Sequence, residues 1–420
     1  MKKFYLLLLI PLLFIGVSCQ TKVPNPPQDK DKNDIPNEVD HGVYTLYLTT
    51  ENNEPITSKE VYLNGTIEVK EGDYKVAPVA MEIRGRGNST WAFVKKPYRI
   101  KMAERVSILG MKPVKNYVLL AEYSDKSLLR NYLAHKLSTM LHSYYPIETR
   151  FVEVYLNNNY QGVYLLTEQV KVDKEGLQGS YLVELEQGED RIENEGTENV
   201  HWFHEGVNLV IKEPDMDKLS DDLVTKEVTY LKTFIRQMVD SFKGDYQQYI
   251  DEATFIDYFV LHEIFKTVDI GYSSVYSVIK DDKLYMGPFW DFDISLGNGD
   301  YFNSSHELYR NRFNPWFNII IDNETFKEKY LNRLTYVLEE LMPKLLIELD
   351  AMYEKLKPSA LRNFNLWPIL NEYVWPNPPK MTEANTYEKQ YQYLKNHLMN
   401  RIDWLKKEVK ERGYYPYEVE

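Results

Sequence analysis

The sequence predicts an α+β protein with a strand-rich first half and a helix-rich second half. Three observations carry this. From Val43 to about Ile211 apolar residues recur mostly at every second position, and from about Leu219 onward they recur every three or four. One short hairpin, Ser273 to Trp290, interrupts the helical half.

The first element precedes both halves. Residues 1–18, MKKFYLLLLIPLLFIGVS, place two lysines before an apolar run that ends in small residues. That pattern reads as a secretory signal, because the run is too short for a membrane span. Cys19, the only cysteine in the sequence, follows directly and resembles the lipidated residue of a bacterial lipoprotein signal. The expectation is an exported chain, lipid-anchored in the bacterial cell envelope and touching the membrane through that N-terminal lipid alone. Residues 19–42 are rich in Pro, Asp, Lys and Asn. They have too little apolar surface to offset ordering entropy, which predicts a flexible tether.

Residues 43–215 form the predicted strand-rich lobe. VYTLYL, VAMEIRG, PYRIKM, NYVLLAE, RFVEVYL, GVYLLTEQV, SYLVELE and NLVIKE read as strands, and YLNNNYQGVY reads as a hairpin with Asn157 to Asn159 at its tip. One helix interrupts them, SDKSLLRNYLAHKLSTML, with Ser124 or Asp125 as its cap. Residues 216–420 form the predicted helical lobe: LVTKEVTYLKTFIRQMVDSF and EATFIDYFVLHEIFKTV as amphipathic helices, then two long helices from Thr325 and Tyr387. A crevice between the halves is where a site is expected.

The 420 residues are 43% hydrophobic, enough for a sizeable core. The formal net charge of −13, more negative still once Lys2 and Lys3 are removed, argues against nucleic-acid binding, which needs a basic footprint.

The chemistry begins at PFWDFDISLGN. Asp291 and Asp293 stand one residue apart amid Phe289, Trp290, Phe292 and Ile294, which all favour burial. A buried carboxylate needs a cation or a proton. A two-residue turn at Asp281–Asp282 would pair Lys280 with Lys283, and extending that ladder brings Asp269 alongside Asp293. Three acids without a nearby histidine suit magnesium or manganese rather than zinc. The bland alternative makes one aspartate a turn cap and leaves the other in solvent.

RGRGNSTWAFVKKPYRIK offers the complement, a glycine-and-hydroxyl loop flanked by cations. Arg84, Arg86, Lys96 and Lys101 are the candidate phosphate ligands. Glu168 and Glu184 interrupt apolar strands, and either could pair with a phosphate-binding lysine. Arg130, Asn131 and Trp290 complete the second tier.

Taken in order, RGRGNSTW, KKPYRIK, NYVLLAEYSDKSLLRNYLAHKLS, VEVYLNNNYQGVYLLTEQV and FIDYFVLHEIFKTVD with SSVYSVIKDDKLYMGPFWDFDISLGN resemble the CotH family, that of the spore-coat protein H kinase. The resemblance implies an atypical two-lobed protein-kinase-like fold. It implies transfer of the ATP γ-phosphoryl group to serine of a protein acceptor, with Mg2+ or Mn2+. Asp269 is implied as base or metal ligand, and Asp291 and Asp293 as metal ligands. The family commonly carries asparagine two residues before the first aspartate, where this chain has Thr267. Two other readings remain: a non-catalytic surface lipoprotein that holds a glycan or protein on aromatic side chains, and a metal-dependent glycosyltransferase using the Asp-x-Asp pair.

Overall fold

Six of the predicted period-two segments and one further strand wrap into a closed barrel. A computed structural model describes residues 43–71, 74–171, 181–186, 201–204, 207–215, 218–299 and 305–413, so the signal segment, Cys19 and the tether lie outside the described residues. The barrel strands are β1 (Tyr44–Thr50), β2 (Leu63–Glu71), β3 (Tyr74–Gly85), β4 (Tyr98–Val106), β5 (Val114–Leu120), β6 (Thr149–Leu156) and β7 (Asn159–Glu168). Their order is β1-β2-β3-β4-β5-β7-β6, and the parallel pairing of β1 with β6 closes the ring. Closure leaves no exposed sheet edge. Leu46, Ile67, Met81, Ile83, Ile100, Tyr117, Val152 and Tyr164 fill the interior.

Closure also fixes which face of each strand is inward. Ile83 and Ile100 pair across β3 and β4 and are fully buried, so Arg84 and Lys101 project outward. Strand parity in the sequence suggests Arg84, Lys96 and Lys101 for the inward positions, and closure of the barrel overturns this for Arg84 and Lys101. β2 was not recognised, because only Ile67 and Val69 of its residues are buried apolar side chains.

A second sheet has the order β12-β11-β8-β10-β9, with β8 (Tyr181–Leu185), β9 (His201–His204), β10 (Val207–Glu213), β11 (Val275–Lys280) and β12 (Lys283–Met286). β8 from the first half pairs with β11 from the second, Tyr276 lying opposite Glu184. Lys280 pairs with Lys283 as the turn predicts, and Asp281 and Asp282 both take positive φ, 51° and 54°. The ladder runs out after the Gly287 N–H reaches the Tyr276 carbonyl at 2.9 Å, since Pro288 has no N–H to continue it.

The helices are α1 (Arg130–Ser138), α2 (Asp221–Ser241), α3 (Glu252–Phe265), α4 (Pro315–Ile320), α5 (Glu324–Tyr336), α6 (Met342–Leu366), α7 (Pro379–Glu383) and α8 (Tyr387–Arg412). α1 starts later than predicted. Leu128 adopts φ 63°, and Asp125 turns inward to accept the N–H groups of Ser127 and Arg130 at 3.0 and 2.8 Å. Asp125 therefore caps the helix from within a buried loop. α3, expected to be amphipathic, is buried on every side from Thr254 to Phe265 and forms the spine of the main core. Among the described residues no helix is long and apolar enough to cross a membrane.

Candidate active site

A cavity of about 740 Å3 is lined by the β3–β4 loop, the segment between β5 and α1, the turn before β11 and the segment after β12. Asp269, Asp291 and Asp293 all line it. Asp269 sits on a single helical turn, Val268–Gly271, whose Val268 N–H donates to the Ile294 carbonyl at 3.1 Å. That bond continues the hairpin's direction past the end of its ladder and sets Asp269 beside the Asp-x-Asp segment, as the extended register predicts. Asp291 has φ 68° and accepts from Ser274 Oγ at 3.0 Å; Ser274 itself has φ 60°. Left-handed backbone at two facing non-glycine residues is strain retained where the surroundings over-determine it.

Asp293 is the deepest in its electrostatic surroundings, enclosed among other acids. Burial, then the charges of Asp291, Asp269 and Asp125, push its carboxyl well above the usual aspartate range. The Ile294 N–H, 3.1 Å from Oδ1, opposes this, and Ser124 Oγ stands 3.4 Å from Oδ2.

Two further acids were not singled out from sequence. Glu122 is buried at φ 48°, and the Asn131 amide reaches its two oxygens at 3.1 and 3.2 Å. Burial, Asp125 and Asp293 push its carboxyl well up, while Asn131 and Lys95 pull it down. Asn131 also accepts the Phe292 N–H at 2.7 Å, so one side chain ties Glu122 to the Asp-x-Asp loop. Asp125 is fully buried and paired with Arg130. Arg130 in turn donates to the Ser295 and Leu296 carbonyls at 2.9 and 3.1 Å. It is a brace behind the loop, not a cavity residue.

Of the four predicted phosphate ligands, only Arg86 lines the cavity, together with Gly87, Asn88, Ser89 and Thr90 of its loop. Its guanidinium lies 5.6 Å from the Trp290 ring centre. Burial disfavours its charge, whereas Asp291, Tyr276 and Asp293 favour it. The other three point elsewhere. Arg84 stands 3.7 Å from Glu60 and over Tyr62, Lys96 donates to the Trp91 carbonyl at 2.7 Å, and Lys101 pairs with Glu82 at 2.6 Å. Lys95, beside them in sequence, is buried instead. It donates to the Val163 carbonyl and to Asn363 Oδ1, and burial lowers its pKa to about 7.

Glu184 lines the cavity and meets Lys212 at 3.3 Å, giving the lysine–glutamate pair the strand pattern suggested. Glu168 does not line it; it is buried under Tyr145 and the Glu148 N–H. Trp290 lines the cavity with its ring packed among Val118 and Ile147.

Among the described residues no three His, Cys, Asp or Glu side chains close into a metal cage. The donor set nevertheless suits a hard divalent ion. Magnesium in phosphoryl-transfer sites takes one or two carboxylates and completes its shell with water and substrate phosphate. A recessed Asp293 surrounded by three other acids is a carboxylate whose charge a cation would stabilise.

The sequence model of the family described as CotH kinase protein matches residues 83–405, from the end of β3 into α8. No curated protein matches the chain.

Proposed function

The chain belongs to the CotH kinase protein family, and from that premise we propose that it is an atypical kinase-like phosphotransferase, exported and lipid-anchored through Cys19. The observation that carries the reading is one cavity holding Asp269, Asp291, Asp293 and Arg86, brought together from three separate segments.

ATP would enter with its phosphates toward Arg86 and the Gly87–Thr90 loop, where backbone N–H groups and a fixed cation neutralise them. Asp291 and Asp293 would hold Mg2+ or Mn2+, which when bound offsets phosphate charge as the γ-phosphoryl group moves. Asp269 would accept the proton of an acceptor serine as its oxygen bonds to phosphorus and the bond to ADP breaks. Glu122 and Asn131 keep the Asp-x-Asp loop in register with the cavity. The two-lobed kinase-like arrangement is part of the same proposal, with the barrel supplying the phosphate loop and the helical half supplying the acids.

The test is incubation of the purified chain with Mg2+ or Mn2+ and γ-labelled ATP. Label should reach serine of the chain itself or of a casein-type acceptor, and Asp269→Asn and Arg86→Gln should each lose at least about tenfold, whereas Lys96→Gln should not. No labelling together with no nucleotide binding defeats the reading.

A second reading rests on the cavity mouth, where Tyr272, Phe313 and Trp375 are 46%, 41% and 43% exposed. Such a rim suits a non-catalytic glycan- or protein-binding role. Ligand binding that survives replacement of all three aspartates would favour it.

A further inference from the structure

A second cavity, of about 310 Å3, opens along α1, whose Asn131 lines the first cavity and whose His135 and Lys136 line the second. Three cations reach it from three elements: Lys136 on α1, Arg150 on β6 and Lys355 on α6. Two acids stand against them: Glu148 lines the cavity and its carboxylate accepts the Lys112 N–H at 2.7 Å, and Glu348 meets Lys136 at 3.5 Å, leaving the cations in excess. In a chain of net charge −13 this is a local reversal of sign.

The independent observation is His135. It is 2% exposed, lines the cavity, and neither ring nitrogen has a hydrogen-bond partner. Buried polar groups are nearly always satisfied, so an unpartnered imidazole on the wall of a basic cavity points to a ligand that supplies a partner. Burial holds the imidazole's pKa down to about 4, leaving one N–H donor and one lone pair at neutral pH. A carboxylate can only accept. Hydrogen phosphate both accepts on its oxyanions and donates from its hydroxyl, so it can meet the cations and whichever ring nitrogen turns toward it, as can a singly ionised phosphomonoester.

We propose that this cavity is a binding site for a small phosphate-bearing anion, held by Lys136, Arg150 and Lys355 with His135 as its floor. The floor lies against Trp290, which lines the first cavity. The His135 ring lies edge-on to Trp290 at 6.2 Å, and Ile147, which lines the second cavity, packs in the same cluster as Trp290. An occupant therefore bears on the side chain that Arg86 covers from the other side. The proposal does not depend on phosphoryl transfer in the first cavity.

The experiment is calorimetric titration of the full chain with inorganic phosphate, and separately with phosphoserine, at ionic strength fixed with sodium chloride. Saturable binding is expected for at least one of them, the two arms separating the free ion from a phosphorylated side chain as the natural source. Lys136→Gln with Lys355→Gln should weaken it at least about tenfold, the scale of one lost charge-assisted bond, with an unchanged melting temperature because both are surface residues. Arg86→Gln should leave it intact. The proposal is overturned by absence of saturable binding, by acetate binding as tightly as phosphate, or by binding that Arg86→Gln removes and the lysine pair does not.

Discussion

Asp293→Asn should stabilise the protein in the absence of divalent metal. In the folded chain, burial and three neighbouring acids raise the Asp293 carboxyl above its unfolded value near 3.9. A raised acid pKa means that the folded state binds the proton more tightly. Its contribution is fully present below the unfolded value and is lost as pH rises through the folded one. At neutral pH the wild-type chain must either hold a proton there or tolerate a repelled charge. Asparagine removes that choice at almost constant shape. Its Oδ1 can still accept the Ile294 N–H, and its amide can donate to Ser124 Oγ.

Each pKa unit is worth about 1.4 kcal/mol. With unfolding entropy near 2.1 cal/mol/K per residue, that is roughly 2 °C of melting temperature in a chain of this size. Melts of wild type and Asp293→Asn in chelator, from pH 5 to pH 8, should diverge as pH rises, with the variant the higher at pH 8. Adding Mg2+ or Mn2+ should narrow the gap and, near saturation, reverse the order, because only the wild type gains RT ln(1 + [M]/Kd), about 4.1 kcal/mol or roughly 5 °C at a thousand times Kd. A variant that melts lower than wild type in chelator at every pH would refute the reasoning. It would mean that Arg86 or another fixed cation already compensates Asp293, so that no divalent ion is called for.

Other outcomes follow from the same electrostatics. Arg130→Met should cost about 3–5 kcal/mol in urea unfolding by leaving Asp125 buried without its partner, and the double variant with Asp125→Asn should recover part of it. Lys95 has a folded pKa of about 7 against about 10.4 unfolded, so wild-type stability should rise between pH 7 and pH 10, where only the unfolded chain stays protonated. Lys95→Met should flatten that slope, which denaturant midpoints at the two pH values will show.

The parts legible in sequence were those set by local chain geometry. Asp281–Asp282 dictates a two-residue turn, the turn dictates the register, and the register placed Asp269 near Asp293 before any coordinate was known. The parts that were not legible depend on closure in three dimensions. Arg84 and Lys101 lie on alternating strands whose inward face is chosen only when the barrel closes, and β2, which completes the ring, carries too weak an alternation to be recognised. Glu122 reads as an ordinary loop acid after an apolar strand and Asp125 as a helix cap, because nothing local shows that Asn131 and Arg130 will bury and satisfy them. The one available signal was the density of acids and hydroxyls in AEYSDKS immediately before a helix.

What keeps five acids in one neighbourhood is a pair of arginines, Arg130 behind the cavity and Arg310 in its wall. Arg130 holds the Asp-x-Asp loop by the Ser295 and Leu296 carbonyls, and Arg310 holds the Asp269 turn by the Thr267 and Val268 carbonyls. Both guanidiniums are buried. Each acts on backbone oxygens, so it fixes the position of a turn whatever the protonation of the aspartate that turn presents. The carboxylates of Asp269 and Asp293 stay mutually repelled while their backbones cannot relax apart. This is the condition for a preorganised cation site: the repulsion is built in at folding, and an arriving ion need not pay to assemble its ligands. A loop braced through its side chains would instead lose its acids to the brace, which is why the two arginines grip carbonyls.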